Sequence, residues 1–143
     1  MPTLLVIDDQ QPVLAVLQHA LTAQGFTVVV AETGAAGLAL FDRLVIDGAL
    51  VDFLMPGLDG VEVCRELRAR AQRAGHDLPV WVITGACTPE LTRAAAAVGV
   101  VAVLMKPFNF AELARELKTR LDGAPAPAAI QSREIQLAQS ISG

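Results

Sequence analysis

Thr3-Leu4-Leu5-Val6-Ile7-Asp8-Asp9 is the stretch on which the fold turns: an apolar run of strand length, ended abruptly by two carboxylates. So short a run of Leu, Val and Ile suits a strand covered on both faces, and strands of that kind belong to parallel sheets packed between helices. Working outward, four more short apolar runs follow at Thr27 to Ala31, Ala49 to Val51, Val80 to Ile83 and Val101 to Met105. The stretches between them carry apolar residues at helical spacing, as in Val13, Leu17, Ala20 and Leu21, or Val61, Cys64, Leu67 and Ala71.

Regular alternation of strand and helix patterns is the mark of α/β architecture. With right-handed crossovers it predicts a doubly wound, five-stranded parallel sheet of order 2-1-3-4-5, the flavodoxin-like three-layer sandwich. Helix-start chemistry supports the later boundaries. Thr88 precedes Pro89 at a first-turn position, and Asn109 has Glu112 three residues on, a variant of the capping box. The last helix shows Phe110, Leu113, Leu117 and Leu121 on one side. After Asp122-Gly123 the chain turns to Ala-Pro-Ala-Pro, so the expected division is one domain over 1–122 and a linker with a short tail over 123–143. That tail is expected to be disordered or to form a docking helix.

Composition narrows the function classes. The chain is 53% apolar, yet its apolar runs are of strand length and are broken by Asp, Gly or Pro, so no membrane span is expected. No leader-like segment opens it, and cytoplasmic residence is the expectation. Eleven Lys and Arg against fifteen Asp and Glu, with no basic cluster, argue against direct nucleic-acid binding by this segment. Cys64 and Cys87 are far apart, and His19 and His76 offer no zinc-like spacing, so both cysteines read as small hydrophobes. Trp81, inside the fourth strand, reads as core.

In an open α/β sheet, ligands bind beyond the carboxyl ends of the strands where the winding reverses, here between strands one and three. Strand one ends in Asp8-Asp9 and strand three in Asp52, so three carboxylates converge on that crevice. Crowded anions repel unless a cation compensates them, and an all-oxygen donor set selects a hard ion such as Mg²⁺. A carboxylate beside such an ion can act as a nucleophile toward a phosphoryl group. Strand four ends in Thr84, followed by the small Gly85, and strand five ends before Lys106, adding a hydroxyl and an ammonium at the same edge. Taken singly these residues are ordinary turn formers, caps and surface charges. Their coincidence at one edge carries the reading.

Asp8-Asp9, Asp52 with Met55-Pro56-Gly57-Leu58-Asp59-Gly60 after it, Thr84, and Lys106-Pro107-Phe108 together resemble the signature of receiver domains in two-component response regulators, the CheY-like family, over roughly residues 3 to 121. The resemblance implies a phosphorylated signalling switch rather than a turnover enzyme, one that assists its own phosphorylation and slow dephosphorylation. It implies Asp52 as phosphoacceptor from a histidine kinase or phosphorelay protein. It further implies that Asp9, Asp52 and the Leu54 carbonyl ligate Mg²⁺, with Asp8 acting through a bound water. Lys106 would bind a phosphoryl oxygen and pair with Asp52 beforehand, Thr84 would swing toward the phosphate, and a cis peptide would precede Pro107.

Two departures stand out. The family usually carries an aromatic residue three positions before the strand-five lysine, where this chain has Val103. Val100-Val101-Ala102-Val103 also replaces a commonly acidic stretch. Two readings of it stand side by side: an exposed apolar face for a homodimer or effector, or an extension of the buried strand. Among rivals, a haloacid dehalogenase-type phosphatase needs Asp-x-Asp-x-Thr at the first strand, which Asp8-Asp9-Gln10-Gln11-Pro12 does not supply. A receiver used purely as a binding module is disfavoured because every matched position is present. The alternative kept open is the N-terminal receiver fragment of a longer DNA-binding response regulator.

Gly57 and Gly60 are expected to serve backbone freedom in the turn after strand three.

Overall fold

The computed structural model describes residues 1–53, 60–86 and 88–121. Leu54 to Asp59, Cys87 and the 122–143 tail, and with them the expected Leu54 ligand and the linker, lie outside the described residues. The chain alternates β1 (Thr3–Ile7), α1 (Gln11–Ala23), β2 (Thr27–Ala31), α2 (Gly34–Arg43), β3 (Gly48–Asp52), α3 (Gly60–Arg73), β4 (Val80–Thr84), α4 (Pro89–Ala97), β5 (Ala102–Met105) and α5 (Phe110–Leu121). The strands form one sheet of order β2-β1-β3-β4-β5, and all four pairings are parallel. The expected order is therefore the observed one. Among the described residues, no helix is long and apolar enough to cross a membrane.

Period-two alternation sends successive strand residues to opposite faces, and each face has its own core. Leu5, Ile7, Ala49, Val51, Val80, Val82 and Val103 pack against Leu38 of α2, Val63, Cys64 and Leu67 of α3, and Leu91 and Ala95 of α4. Leu4, Val6, Leu50, Trp81, Ile83, Ala102 and Leu104 pack against Leu14, Leu17 and Leu21 of α1 and Leu113, Ala114 and Leu117 of α5. The central strands β3 and β4 are buried along their whole length, which is why they read as unbroken apolar runs.

Helix starts follow local chemistry. Thr88 Oγ1 accepts the Leu91 amide at 3.1 Å, and Asn109 Oδ1 accepts the Glu112 amide at 3.1 Å, as the caps predicted. Thr33 does the same for Ala36 at the start of α2, at 3.0 Å.

Three expectations are corrected. Strand three gains Gly48 and Asp52 and strand four gains Thr84, because ladder pairing runs past the apolar residues, whereas strand five loses Val101, since its pairing with β4 begins at Ala102. The Val100–Val103 stretch is not an exposed apolar face. Ala102 and Val103 are 8% and 9% exposed on opposite sides of β5, while Val100 and Val101 pack on the two cores, since α4 and α5 cover the two faces of this edge strand. The buried-strand reading is the one that fits. Gly60, finally, has no positive φ; a Cβ there would stand 2.5 Å from the Asp52 carbonyl oxygen and 2.6 Å from the Phe53 Cα. Close approach of α3 to the end of β3, rather than backbone freedom, requires this glycine.

Candidate functional site

Register brings the acidic residues together. Ile7 of β1 lies beside Val51 of β3, so the next residues along, Asp8 and Asp52, emerge level with each other at the carboxyl edge. On the other flank Asp52 is level with Ile83, and Thr84 with Met105, which places the Lys106 backbone just past the hydroxyl. The Lys106 amide donates to the Thr84 carbonyl at 2.8 Å and the Phe53 amide to the Ile83 carbonyl at 3.1 Å, tying the strand ends together.

Asp8, Asp9 and Asp52 each offer a carboxylate oxygen, and these atoms all lie within 4.8 Å of one another. Asp8 is 0% and Asp52 5% exposed, whereas Asp9 faces solvent. One ammonium joins them: Lys106 Nζ is 2.8 Å from Asp8 Oδ2 and 3.9 Å from Asp52 Oδ2. Asp8 Oδ1 also accepts the Gln10 amide at 3.0 Å. The expected pairing of Lys106 with Asp52 is present, and a second, shorter contact to Asp8 joins it. Both carboxylates are buried, so either would be costly to leave without a compensating charge.

Three carboxylates against one ammonium leave a local excess of negative charge. The donor atoms are all oxygen, with one carboxylate open to solvent, a set that fits a hard divalent cation keeping part of its water shell. Around this cluster, Thr84 is fully buried and its hydroxyl is occupied locally, donating to the Ala86 carbonyl at 2.7 Å and accepting the Ala86 amide at 3.1 Å. Space beside Gly85 is open, with nothing within 4 Å of a Cβ built there. The Lys106-Pro107 peptide is cis, as the resemblance implied.

Every described candidate residue therefore stands at one edge of the sheet. Reading the sequence missed the local tether on the Thr84 hydroxyl and the reason for Gly60. Only the second left a trace in the sequence, a glycine at position 60 soon after Asp52. His19 and His76 are exposed and away from this edge, and Cys64 is buried in the α3-side core.

A family model described as the response regulator receiver domain matches residues 4–118. Response regulator MprA of Mycolicibacterium vanbaalenii is 34% identical over 140 residues, covering 94% of this chain and 59% of the relative. MprA of Mycobacterium leprae is 34% identical over 118 residues, covering 82% of this chain and 50% of the relative. The chain thus spans little more than half the length of these relatives. Among solved structures, a CheY-like receiver domain protein from Methanospirillum hungatei superposes with a TM-score of 0.78 at 26% identity, covering 94% of this chain and 98% of that one. Chemotaxis protein CheY4 of Vibrio cholerae gives 0.75 at 29%, covering 82% and 97%. TrrA of Thermotoga maritima, solved in complex with Mg²⁺-BeF, gives 0.73 at 26%, covering 85% and 99%. With its sheet order, its acidic edge and its sequence all in agreement, the chain belongs to the response regulator receiver domains, the signalling switches of two-component systems.

Proposed function

We propose that this receiver accepts a phosphoryl group on Asp52 from a phosphohistidine of a histidine kinase or phosphotransfer protein. The observation that carries the reading is the packing of three carboxylates within 4.8 Å of one another beside a lysine that reaches two of them. In the transfer, an Asp52 carboxylate oxygen forms a bond to phosphorus as the bond from phosphorus to the donor imidazole breaks, and the imidazole keeps that electron pair and takes up a proton. Asp9, Asp52 and the Leu54 carbonyl are the residues to hold Mg²⁺ directly, with Asp8 through a water. When bound, that ion neutralises the incoming phosphoryl oxygens.

Lys106 binds one phosphoryl oxygen, and the Thr84 hydroxyl exchanges the Ala86 carbonyl for another. Once Thr84 lets go of Ala86, the segment leading into α4 is free to repack. The phosphate need favour one of two conformations by only a few kcal/mol to act as a switch. The same Asp52 adduct is lost slowly to water, which returns the domain to its resting state. On this reading residues 1–122 are the receiver, 123–143 a linker and tail, and the protein works in the cytoplasm.

Incubation with acetyl phosphate and Mg²⁺ followed by intact mass measurement is the test. The parent is expected to gain one phosphate and Asp52→Asn none; equal gain by both, or none by the parent, refutes the assignment. A second reading, the receiver segment of a longer DNA-binding regulator, is favoured by the chain's covering 59% and 50% of the MprA relatives. A reading frame that continues past Gly143 into a basic helical domain would support it.

A further inference from the structure

α4 is held weakly by its own packing. Its nine residues include four consecutive alanines, Ala94 to Ala97, and only Leu91 and Ala95 are buried. Yet its C-terminal end is gripped from another helix. Arg68 of α3 reaches across to donate from Nη1 to the Val98 carbonyl at 2.5 Å, and its Nη2 stands 3.5 Å from Asp77 Oδ1 in the segment before β4. Gly99 completes the seat: its φ of +76° ends the helix, and a Cβ there would fall on the Arg68 guanidinium. A cation on the last carbonyls of a helix also meets the negative end of its dipole.

Arg68 differs in this from the other arginines of α3 for which partners are seen. Arg65 pairs with Glu62 on its own helix, Arg70 with Glu66 and Asp42, and Arg73 with Glu66, and none of these ion pairs reaches α4. At the opposite end of α4 lies the Thr84 tether to Ala86, three residues before Pro89. The far end of the helix is therefore gripped from α3, while the Thr84 tether fixes the segment ahead of its near end. Turning the Thr84 hydroxyl toward a phosphoryl group releases that segment while Arg68 still restrains the far end.

We propose that Arg68, through Val98 and Gly99, is a positioning residue that latches the far end of α4 to α3 and sets how readily the helix repacks when a phosphoryl group is captured. The inference rests on the reading of Asp52 as phosphoacceptor. The latch belongs to the resting arrangement, so weakening it lowers the cost of the switched one and tightens binding of a phosphoryl mimic by population shift.

The experiment titrates beryllofluoride with Mg²⁺ into the parent, Arg68→Ala, Arg68→Lys and Arg65→Ala, following the bound signal by ¹⁹F NMR, with amide hydrogen exchange of Ala94 to Val98 measured alongside. Arg68→Ala is expected to bind at least about threefold tighter and to exchange those amides faster, Arg68→Lys to fall between it and the parent, and Arg65→Ala to match the parent. Parent binding with unchanged or weaker binding by both folded Arg68 variants overturns the latch while leaving Asp52 in place. Failure of the parent to bind takes down both readings, and Asp52→Asn in the same titration identifies that case.

Discussion

Lys106 stands between two buried carboxylates and contacts Asp8 more closely than Asp52. Removing it leaves the buried Asp8 carboxylate without its cation. Lys106→Met is therefore expected to lose about 2 kcal/mol of stability in the absence of divalent ions, the scale of an uncompensated buried partner softened by the lysine's partial exposure. Asp8→Asn in the same background should recover most of that loss, and urea unfolding of the two singles and the double closes the cycle; additive losses would show that the pair is not coupled. Gly60 gives a second test, since a methyl there meets backbone atoms that cannot rotate away. Gly60→Ala should cost about 1 to 3 kcal/mol by overpacking and slow phosphorylation by acetyl phosphate, and an unperturbed variant would contradict the close approach. Trp81 is fully buried, with an indole N–H that meets no acceptor among the described residues. Trp81→Phe should hold stability within about 1 kcal/mol, whereas Trp81→Ala should lose about 3 to 5.

Between elements, α2 and α3 are joined by an ion network in which Arg70 meets Asp42 at 2.5 Å and Glu66 at 3.0 Å, with Arg73 also on Glu66 at 3.3 Å. The hydrogen bond from Arg70 holds the Glu66 carboxyl below its ordinary pKa of 4.5, outweighing an opposing desolvation with help from the Arg70 and Arg73 charges. A carboxyl depressed in the folded state lends stability that is fully present above the ordinary value and is lost as pH falls through the depressed one. Glu66→Gln should thus be less stable than the parent near neutrality and converge with it in acid. Urea midpoints measured down the pH scale check this, and a constant gap would contradict the assignment. The network is solvent-facing, so the effect should be small and should shrink with added salt. At the helix starts, Thr88→Ala should cost about 1 kcal/mol through loss of the cap on α4, read by thermal unfolding.

At the level of the whole molecule, sheet order and site location were legible because both follow from where apolar runs stop. Ile7 to Asp8 and Val51 to Asp52 are abrupt transitions, and a parallel sheet of this order must bring those two ends side by side. What was not legible depends on three-dimensional reach. The Lys106 to Asp8 contact spans 98 positions, the Arg68 to Val98 contact 30, and nothing in local pattern chooses Asp8 over Asp52 as the lysine's nearer partner. Val100 to Val103 misled in one of its two readings because apolar residues on an edge strand look the same whether or not helices cover them. Here α4 and α5 do. With Val103 where an aromatic residue is usual, the proposed repacking would act through contacts such as the Thr84 tether and the Arg68 grip on α4.

Asp52 is the proposed carrier of the phosphate, and the adduct can be located directly. Borohydride reduction of the acetyl phosphate-treated protein converts an aspartyl phosphate to homoserine, and peptide mass mapping then shows where. Homoserine at position 52, and at no other aspartate, is the predicted result. Homoserine at Asp8, Asp9 or Asp59 with an unmodified Asp52 would contradict it.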